Sequence, residues 1–213
     1  MDIQYPLRKQ MAKQRLFGAS MCQDPMALFV FEWMLNNIEF DAIVELGTGR
    51  GGLSLFLMFQ ARVRGLDFYT FDALYRLEDK INFETSNPPI NLAKILSPSF
   101  EIRWLQEKGQ YGVPKPEHVV EENTVEFIGN ILKSNRVLMY CDNGNKPLEL
   151  KTYAPLVTSG SVIGVHDWHP PRAKKEFAWI NLPEMEKNLK LEVIMEEVCI
   201  KERTLQRFWY KHE

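Results

Sequence analysis

A glycine-rich stretch between Phe40 and Met58 has the residue types and the spacing needed to bind a nucleotide-like ligand. Gly47 to Gly52 match the pattern G-x-G-x-x-G and directly follow Ala42 to Leu46, a short apolar run whose β-branched centre predicts a buried strand. The apolar residues after the glycines predict a helix. A strand, a glycine turn and a helix in that order let the backbone approach a ligand at the helix N-terminus. The predicted ligand contacts in the turn are Gly47, Thr48, Gly49, Gly51 and Gly52.

Two carboxylates near this turn narrow the choice of ligand. Glu45 stands two residues before Gly47, where a carboxylate suits a cationic amino-acid group better than a pyrophosphate. Asp72 follows a second predicted strand, Asp67 to Phe71, and comes 20 residues after Gly52 (72 − 52). At that offset a carboxylate can accept hydrogen bonds from the hydroxyl pair of a ribose. The alternatives are that Glu45 caps the following helix or is solvated, and that Asp72 only forms a turn.

Asp142, His166 and Asp167 form a second constellation. They follow two later predicted strands, Val137 to Cys141 and Ser161 to Val165. Because the carboxyl ends of parallel strands lie at one edge of a sheet, we expect these side chains to meet beside the glycine turn. Two carboxylates and an imidazole can hold a divalent cation; the oxygen ligands favour Mg²⁺ or Mn²⁺, and the histidine leaves Fe²⁺ open. The alternative is that both aspartates are turn or helix-cap residues.

The elements that must position these residues alternate between strand and helix. Further helices are predicted at Met26 to Ile38, Val119 to Lys133, Leu148 to Val157 and in part of Phe177 to Leu189. Further strands are predicted at Phe100 to Leu105, Leu191 to Ile200 and Thr204 to Trp209. Such alternation predicts a parallel sheet with helices on both faces, and the short last connection predicts one antiparallel strand. Asp24 and Pro25 predict the N-cap and first residue of the Met26 to Ile38 helix, which is apolar almost all round and therefore expected to be largely buried.

Length and composition bound the remaining possibilities. The chain has 213 residues and a formal net charge of −2, which suits one domain and gives no electrostatic case for binding nucleic acid or an anionic membrane. We predict an N-terminal arm at residues 1–23 and a single domain at 24–213. No apolar run reaches the length of a membrane span. The three cysteines (Cys22, Cys141, Cys199) lack metal-ligand spacing, which favours a reduced, cytoplasmic setting.

The residues of the first motif carry a family resemblance. The segment ELGTGRGG, from Glu45 to Gly52, resembles the first motif of class I S-adenosylmethionine (SAM)-dependent methyltransferases. In that family the acidic residue and the glycine turn hold the methionine end of the cofactor, and this implies the same role for Glu45 and its turn. The Rossmann-like fold of that family is also implied: a mostly parallel seven-stranded sheet with an antiparallel last strand.

A second pair of segments extends the resemblance over roughly residues 40–170. LMYCDNGNK and YAPLVTSGSVIGVHDW are similar to the cephalosporin hydroxylase-like and macrocin O-methyltransferase-like branch. Members of that branch place metal-binding acids after the fourth and fifth strands. Asp142 and Asp167 match two such positions, whereas His166 stands where an acid is often found.

The resemblance implies SAM as cofactor, with Mg²⁺ as the favoured ion, and methylation of a hydroxyl on a small molecule such as a sugar or a natural product. A base must then take the hydroxyl proton, and His166, His169 and Lys146 are the candidates. His166 cannot accept a proton while its ring ligates a metal, so we predict His169 first and Lys146 second. The alternatives are that His169 is an exposed loop residue and Lys146 a solvated one.

Three other functions stay open at this point. A metal-dependent hydroxylase of the cephalosporin hydroxylase-like type would consume oxygen. A non-catalytic SAM-binding protein would bind the cofactor without turnover. A nicotinamide enzyme is disfavoured by Glu45, and 213 residues leave little room for a second substrate domain. The arm or the Met26 to Ile38 helix could supply the interface of a homo-oligomer.

Overall fold

The computed structural model describes residues 15–16, 19–21, 23–48, 51–73, 102–105, 122–143, 145–168 and 175–213. Among the predicted site residues, Gly49 and His169 lie outside these ranges, and so does the side chain of Asp72. Cys22 and most of the predicted arm also lie outside the described residues.

The described residues form one large sheet and one small ladder. The small ladder pairs β1 (Arg15–Leu16) with β2 (Ala19–Ser20) in antiparallel orientation. The large sheet has seven strands in the order β5-β4-β3-β6-β7-β9-β8. They are β3 (Ala42–Leu46), β4 (Asp67–Ala73), β5 (Ile102–Leu105), β6 (Val137–Cys141), β7 (Val162–Val165), β8 (Leu191–Ile194) and β9 (Arg207–Lys211). β9 is antiparallel to both of its neighbours, and the other strand pairs are parallel. The predicted fold class is confirmed.

Six helices connect these strands within the described residues. They are α1 (Pro25–Asn37), α2 (Gly52–Arg64), α3 (Glu122–Ser134), α4 (Lys146–Tyr153), α5 (Leu182–Asn188) and α6 (Glu196–Glu202). The predicted cap of α1 is confirmed, because the Asp24 carboxylate accepts a 2.9 Å hydrogen bond from the Met26 backbone N–H and Pro25 opens the helix. No helix in the described part of the chain is long and apolar enough to cross a membrane.

The strand order reverses at β3, and this point organises the fold. β3 has β4 on one side and β6 on the other, so the chain leaves the middle of the sheet in both directions. In parallel sheets of this kind the crevice beyond the carboxyl ends of the two strands at the reversal is where ligands bind. The residues that follow β3 and β6 are therefore neighbours by topology.

The sheet carries a hydrophobic core on each face. Side chains alternate between them: Val44 of β3 and Met139 of β6 face α3 and α4, whereas Ile43 and Leu138 face α1 and α2. Every residue of β3 and β6 is buried, as expected for central parallel strands covered on both sides.

The helix α1 buries one face as expected, whereas Phe29 is 66% exposed and Trp33 47% exposed, one turn apart on another face. One sequence-based expectation about the strands was wrong. The predicted strand Leu191 to Ile200 ends at Ile194, and Glu196–Glu202 form the helix α6 instead. Met195 has a positive φ of 60°, which breaks the strand, and Glu196 and Glu197 then place two negative charges in the first turn, where the helix dipole favours them.

Candidate functional site

The glycine turn lies at the crevice between β3 and β6. Gly47 has a φ of 105°, and its backbone N–H donates a 2.6 Å hydrogen bond to the carbonyl of Phe71 in β4. A β-carbon on Gly47 would come within 2.5 Å of the backbone of Asp142, so only glycine fits there. Gly51 also has a positive φ, 80°, and directly precedes α2, but the space beside it is open. The start of the turn therefore packs against the next strand end, whereas no described residue crowds a β-carbon at Gly51.

Glu45 is fully buried beneath this turn. Its Oε2 accepts hydrogen bonds from the Ser54 hydroxyl at 2.5 Å and from the Thr70 hydroxyl at 2.6 Å. Thr70 also shares a 2.5 Å hydrogen bond with the hydroxyl of Thr48. The carboxylate thus ties β3 to the first turn of α2 and to β4. The alternative of a solvated Glu45 is wrong, and the bond to the following helix goes to the Ser54 side chain, so it is not the predicted alternative of a helix cap.

Asp142, His166 and Asp167 come together as predicted. One ligand atom from each of the three side chains lies within 4.8 Å of the others. Nδ1 of His166 lies 3.1 Å from Oδ1 of Asp142 and 3.6 Å from Oδ1 of Asp167. The His166 backbone N–H donates to the carbonyl of Cys141, which continues the pairing of β6 with β7 past the last ladder residues. Asp167 has a φ of 58°, a left-handed conformation that Asp adopts more readily than most residues.

Lys146 lies between the two aspartates. Its Nζ is 3.2 Å from Oδ1 of Asp142 and 3.1 Å from Oδ2 of Asp167, and its side chain is only 9% exposed. Burial lowers the pKa of Lys146, but the two aspartates raise it by more, and the net shift is upward. An ammonium group has no lone pair with which to accept a proton. This geometry therefore does not favour the predicted role of Lys146 as a base, and the solvated alternative is wrong.

A further carboxyl, Glu149, lies on the same helix as Lys146. It is 3% exposed, and burial raises its pKa to about 8, although the nearby Lys146 charge opposes the shift. Its Oε2 accepts a 3.5 Å contact from the backbone N–H of Asn143, and its Oε1 has no hydrogen-bond partner among the described residues. The charged form of Glu149 is thus disfavoured while Lys146 stays between the two aspartates.

Gln23 connects the end of the arm to this site. It is 2% exposed, and its side-chain amide donates a 3.1 Å hydrogen bond to Oδ2 of Asp142. The carbonyl oxygen of the same amide lies 3.5 Å from the hydroxyl of Tyr140, which in turn accepts from Gln206. A buried chain of polar groups therefore holds Oδ2 of Asp142, and Lys146 contacts the other oxygen, Oδ1.

The site residues fit a divalent cation in the type and separation of their donors. Asp142 and Asp167 offer carboxylate oxygens and His166 offers a ring nitrogen, which is a donor set that Mg²⁺ or Mn²⁺ accepts when other ligands complete the octahedron. Lys146 already contacts both acids, so an ion must replace its ammonium.

Sequence reasoning missed Gln23, Glu149, Ser54 and Thr70. Thr70 was detectable only with the strand register, which pairs it with Glu45 across β3 and β4. Glu149 carried a local signal, since it stands three residues after Lys146 in a helix that begins four residues after Asp142, and three-residue spacing places two side chains on one helix face.

Comparison with solved structures identifies the fold. No protein-family model and no curated protein sequence matches the chain. An apo structure of CmcI aligns with a TM-score of 0.62 at 15% identity, covering 95% of this chain and 77% of that one. CmcI with Mg and SAM aligns with a TM-score of 0.59 at 15% identity, covering 92% and 77%. The SAH-bound methyltransferase PaMTH1 of Podospora anserina aligns with a TM-score of 0.51 at 9% identity, covering 87% and 77%. The fold is that of the class I methyltransferases.

Proposed function

We propose that this protein is a SAM-dependent methyltransferase that methylates a hydroxyl oxygen of a small molecule with the help of a divalent cation. The observation that carries the proposal is the packing of Gly47 against Asp142, which brings the glycine turn and the acid pair to one crevice. A cofactor held by the turn and a hydroxyl held near Asp142 would then be neighbours. The fold shared with CmcI and PaMTH1, solved with SAM and SAH respectively, supports this choice of cofactor.

The chain's own residues would bind and orient the cofactor. SAM supplies a methyl group on a positively charged sulfur, and its transfer requires the accepting oxygen to be in line with that bond. The glycine turn and the N-terminus of α2 hold the methionine end, and the negative charge of Glu45 favours its amino group. Asp72 holds the ribose hydroxyls. Alignment of this kind accounts for most of the catalysis, because it removes the entropy of bringing two reactants together.

Asp142, His166 and Asp167 would hold the cation. Mg²⁺ supplies a Lewis acid that favours loss of the hydroxyl proton. Two carboxylates and one imidazole are the reverse of the two histidines and one carboxylate typical of iron oxygenases, so Mg²⁺ or Mn²⁺ suits the site better than Fe²⁺. This favours methyl transfer over the hydroxylase alternative.

The proton acceptor remains His169, as predicted from the sequence. Lys146 stays protonated between its two aspartates, and His166 is engaged with Asp142 through Nδ1. A cytoplasmic location and self-association also stay predictions from the sequence.

Calorimetric titration of SAM tests the proposal. Asp72→Ala should weaken SAM binding by about 1.5–3 kcal/mol, the scale of a hydrogen bond to a charged group. Asp67→Ala is the matched control, because Asp67 is an exposed aspartate at the other end of β4 and its loss should leave the affinity unchanged. An unmodified protein that binds no SAM would refute the proposal, and equal affinities of the two variants would remove Asp72 from the site.

A further inference from the structure

The ammonium group of Lys146 occupies the position that a bridging cation would need. Its Nζ lies 3.2 Å from Asp142 Oδ1 and 3.1 Å from Asp167 Oδ2. A divalent ion bound by the same two carboxylates would sit about 2.1–2.6 Å from their oxygens, within the space that separates the two acids. Two cations that close together repel strongly in a site shielded from water. The lysine and the ion therefore cannot both bind the pair.

We propose that Lys146 and a divalent cation compete for Asp142 and Asp167, and that Glu149 receives the ammonium group when the cation binds. The inference rests on the proposed function only in taking the two aspartates as the cation site. Under this proposal Lys146 is a positioning residue that sets the affinity of the site for a divalent cation. The sequence by itself instead suggests Lys146 as a candidate base.

A displaced ammonium group needs a new partner, because an unpaired charge in a buried position is severely destabilising. Lys146 and Glu149 stand three residues apart in α4, so their side chains share one face of the helix. Glu149 is 3% exposed, and its Oε1 makes no hydrogen bond within the described part of the chain. Glu149 therefore has an oxygen available to the ammonium group, and its carboxyl releases its proton to solvent as the ammonium group arrives, because a nearby positive charge favours the ionised form.

The competition predicts that the native site binds cations weakly. An incoming ion must break two charge-assisted contacts of Lys146 before it gains the carboxylates. With the ammonium removed, the same acids face each other without a counter-charge, and a divalent ion should bind them more tightly.

Calorimetric titration of the full chain with Mn²⁺ tests the first half of the proposal. Lys146→Met and Lys146→Gln both remove the charge and keep most of the side chain, and each should bind Mn²⁺ about tenfold tighter or more, the effect of losing one charge-assisted contact. Lys151→Met is the matched control, since Lys151 is an exposed lysine on the same helix. The Lys151→Met protein should bind Mn²⁺ with the affinity of the unmodified protein. Adding Asp142→Asn to Lys146→Met should abolish the gain. Unchanged affinity in both neutral variants, or a gain that survives Asp142→Asn, would overturn the competition.

A double-mutant cycle tests the role of Glu149. Glu149→Gln should weaken Mn²⁺ binding in the unmodified background, because the displaced ammonium group then lacks its partner. In the Lys146→Met background the same substitution should have little effect. An equal loss in both backgrounds would mean that Glu149 acts only through its own field, and would overturn the second half of the proposal.

A measurement on the unmodified protein covers the case in which the neutral variants do not fold. With ¹³C-labelled lysine, the Cε resonance of buried Lys146 should shift on titration with Mg²⁺, while that of Lys151 should not. Saturable Mg²⁺ binding without such a shift would overturn the competition. SAM affinity measured on the same samples keeps the two proposals separate: absent SAM binding refutes the methyltransferase, and an unmoved Mn²⁺ affinity refutes only the competition.

Discussion

A β-carbon on Gly47 would lie 2.4 Å from the carbonyl oxygen of Asp142. The backbone N–H of Asp142 donates a 2.7 Å hydrogen bond to Leu46, the residue just before Gly47. The two strand ends are thus joined backbone to backbone at the point where the sheet changes direction. Any side chain at Gly47 must push the glycine turn and the acid pair apart.

Gly47→Ala should therefore destabilise the protein by more than the usual cost of a left-handed residue. The positive φ alone costs about 1–2 kcal/mol for a residue with a β-carbon, and displacement of the Asp142 backbone adds to it. Gly51→Ala is the comparison, because Gly51 has a φ of 80° but no described residue places an atom within 4 Å of the added carbon. Urea denaturation should show a larger loss for Gly47→Ala. Equal losses in the free energy of unfolding would mean that the close approach to Asp142 does not contribute to the cost of a side chain at Gly47.

Thr70→Val should destabilise the protein by about 1–3 kcal/mol, because it removes a hydroxyl donor from the fully buried carboxylate of Glu45. Thr70→Ser keeps the hydroxyl and should cost less. The measurement is the free energy of unfolding of both variants. A Thr70→Val protein as stable as Thr70→Ser would show that Glu45 does not depend on this bond.

Asp142→Asn combined with Asp167→Asn should abolish binding of Mg²⁺, Mn²⁺ and Fe²⁺ and leave SAM affinity nearly intact. The reason is that both carboxylates of the cation site lose their charge, while the glycine turn keeps its backbone. Metal analysis after dialysis and calorimetry with SAM measure the two effects. Activity of the unmodified protein that survives a strong chelator would contradict a role for the cation.

Because of the Glu149 carboxyl, the free energy of unfolding should fall as pH rises from about 4.5 to about 8. Burial raises the pKa of Glu149 from 4.5 to about 8, so the folded state holds a proton that the unfolded state releases within this window. The contribution is fully present below pH 4.5 and is lost as pH rises through 8, with a slope of roughly 1 kcal/mol per pH unit. Glu149→Gln should remove this slope. Urea denaturation at pH 5 and pH 8 measures it; identical pH dependence in the two proteins would contradict the shift.

The site's outline could be predicted from local sequence, because strong signals coincide there. The apolar run of β3, the glycines after it and the apolar helix that follows all favour the same unit, and β6 spans Val137–Cys141 as predicted. The convergence of Asp142 with Asp167 follows from topology alone, since both end parallel strands that are neighbours in the sheet.

The errors arise where tertiary structure decides. The placement of Lys146 between the acids depends on where α4 begins, which is two residues earlier than predicted. The run Leu191 to Ile200 is rich in apolar and β-branched residues, which favour a strand, but a left-handed Met195 divides it. The contact of Glu45 with Thr70 depends on the register between β3 and β4, which the sequence of neither strand specifies by itself. The roles of Gly49, Asp72 and His169 remain predictions.

The antiparallel strand β9 has a consequence for synthesis of the chain on the ribosome. It lies between β7 and β8, and Phe208 and Trp209 within it are fully buried in the two cores. Until Arg207–Lys211 have been made, β7 is an open sheet edge and β8 has no strand to pair with. Such edges recruit other chains. The nascent protein is therefore exposed to misassembly until β9 has been made, because the seven-stranded sheet cannot be completed before then.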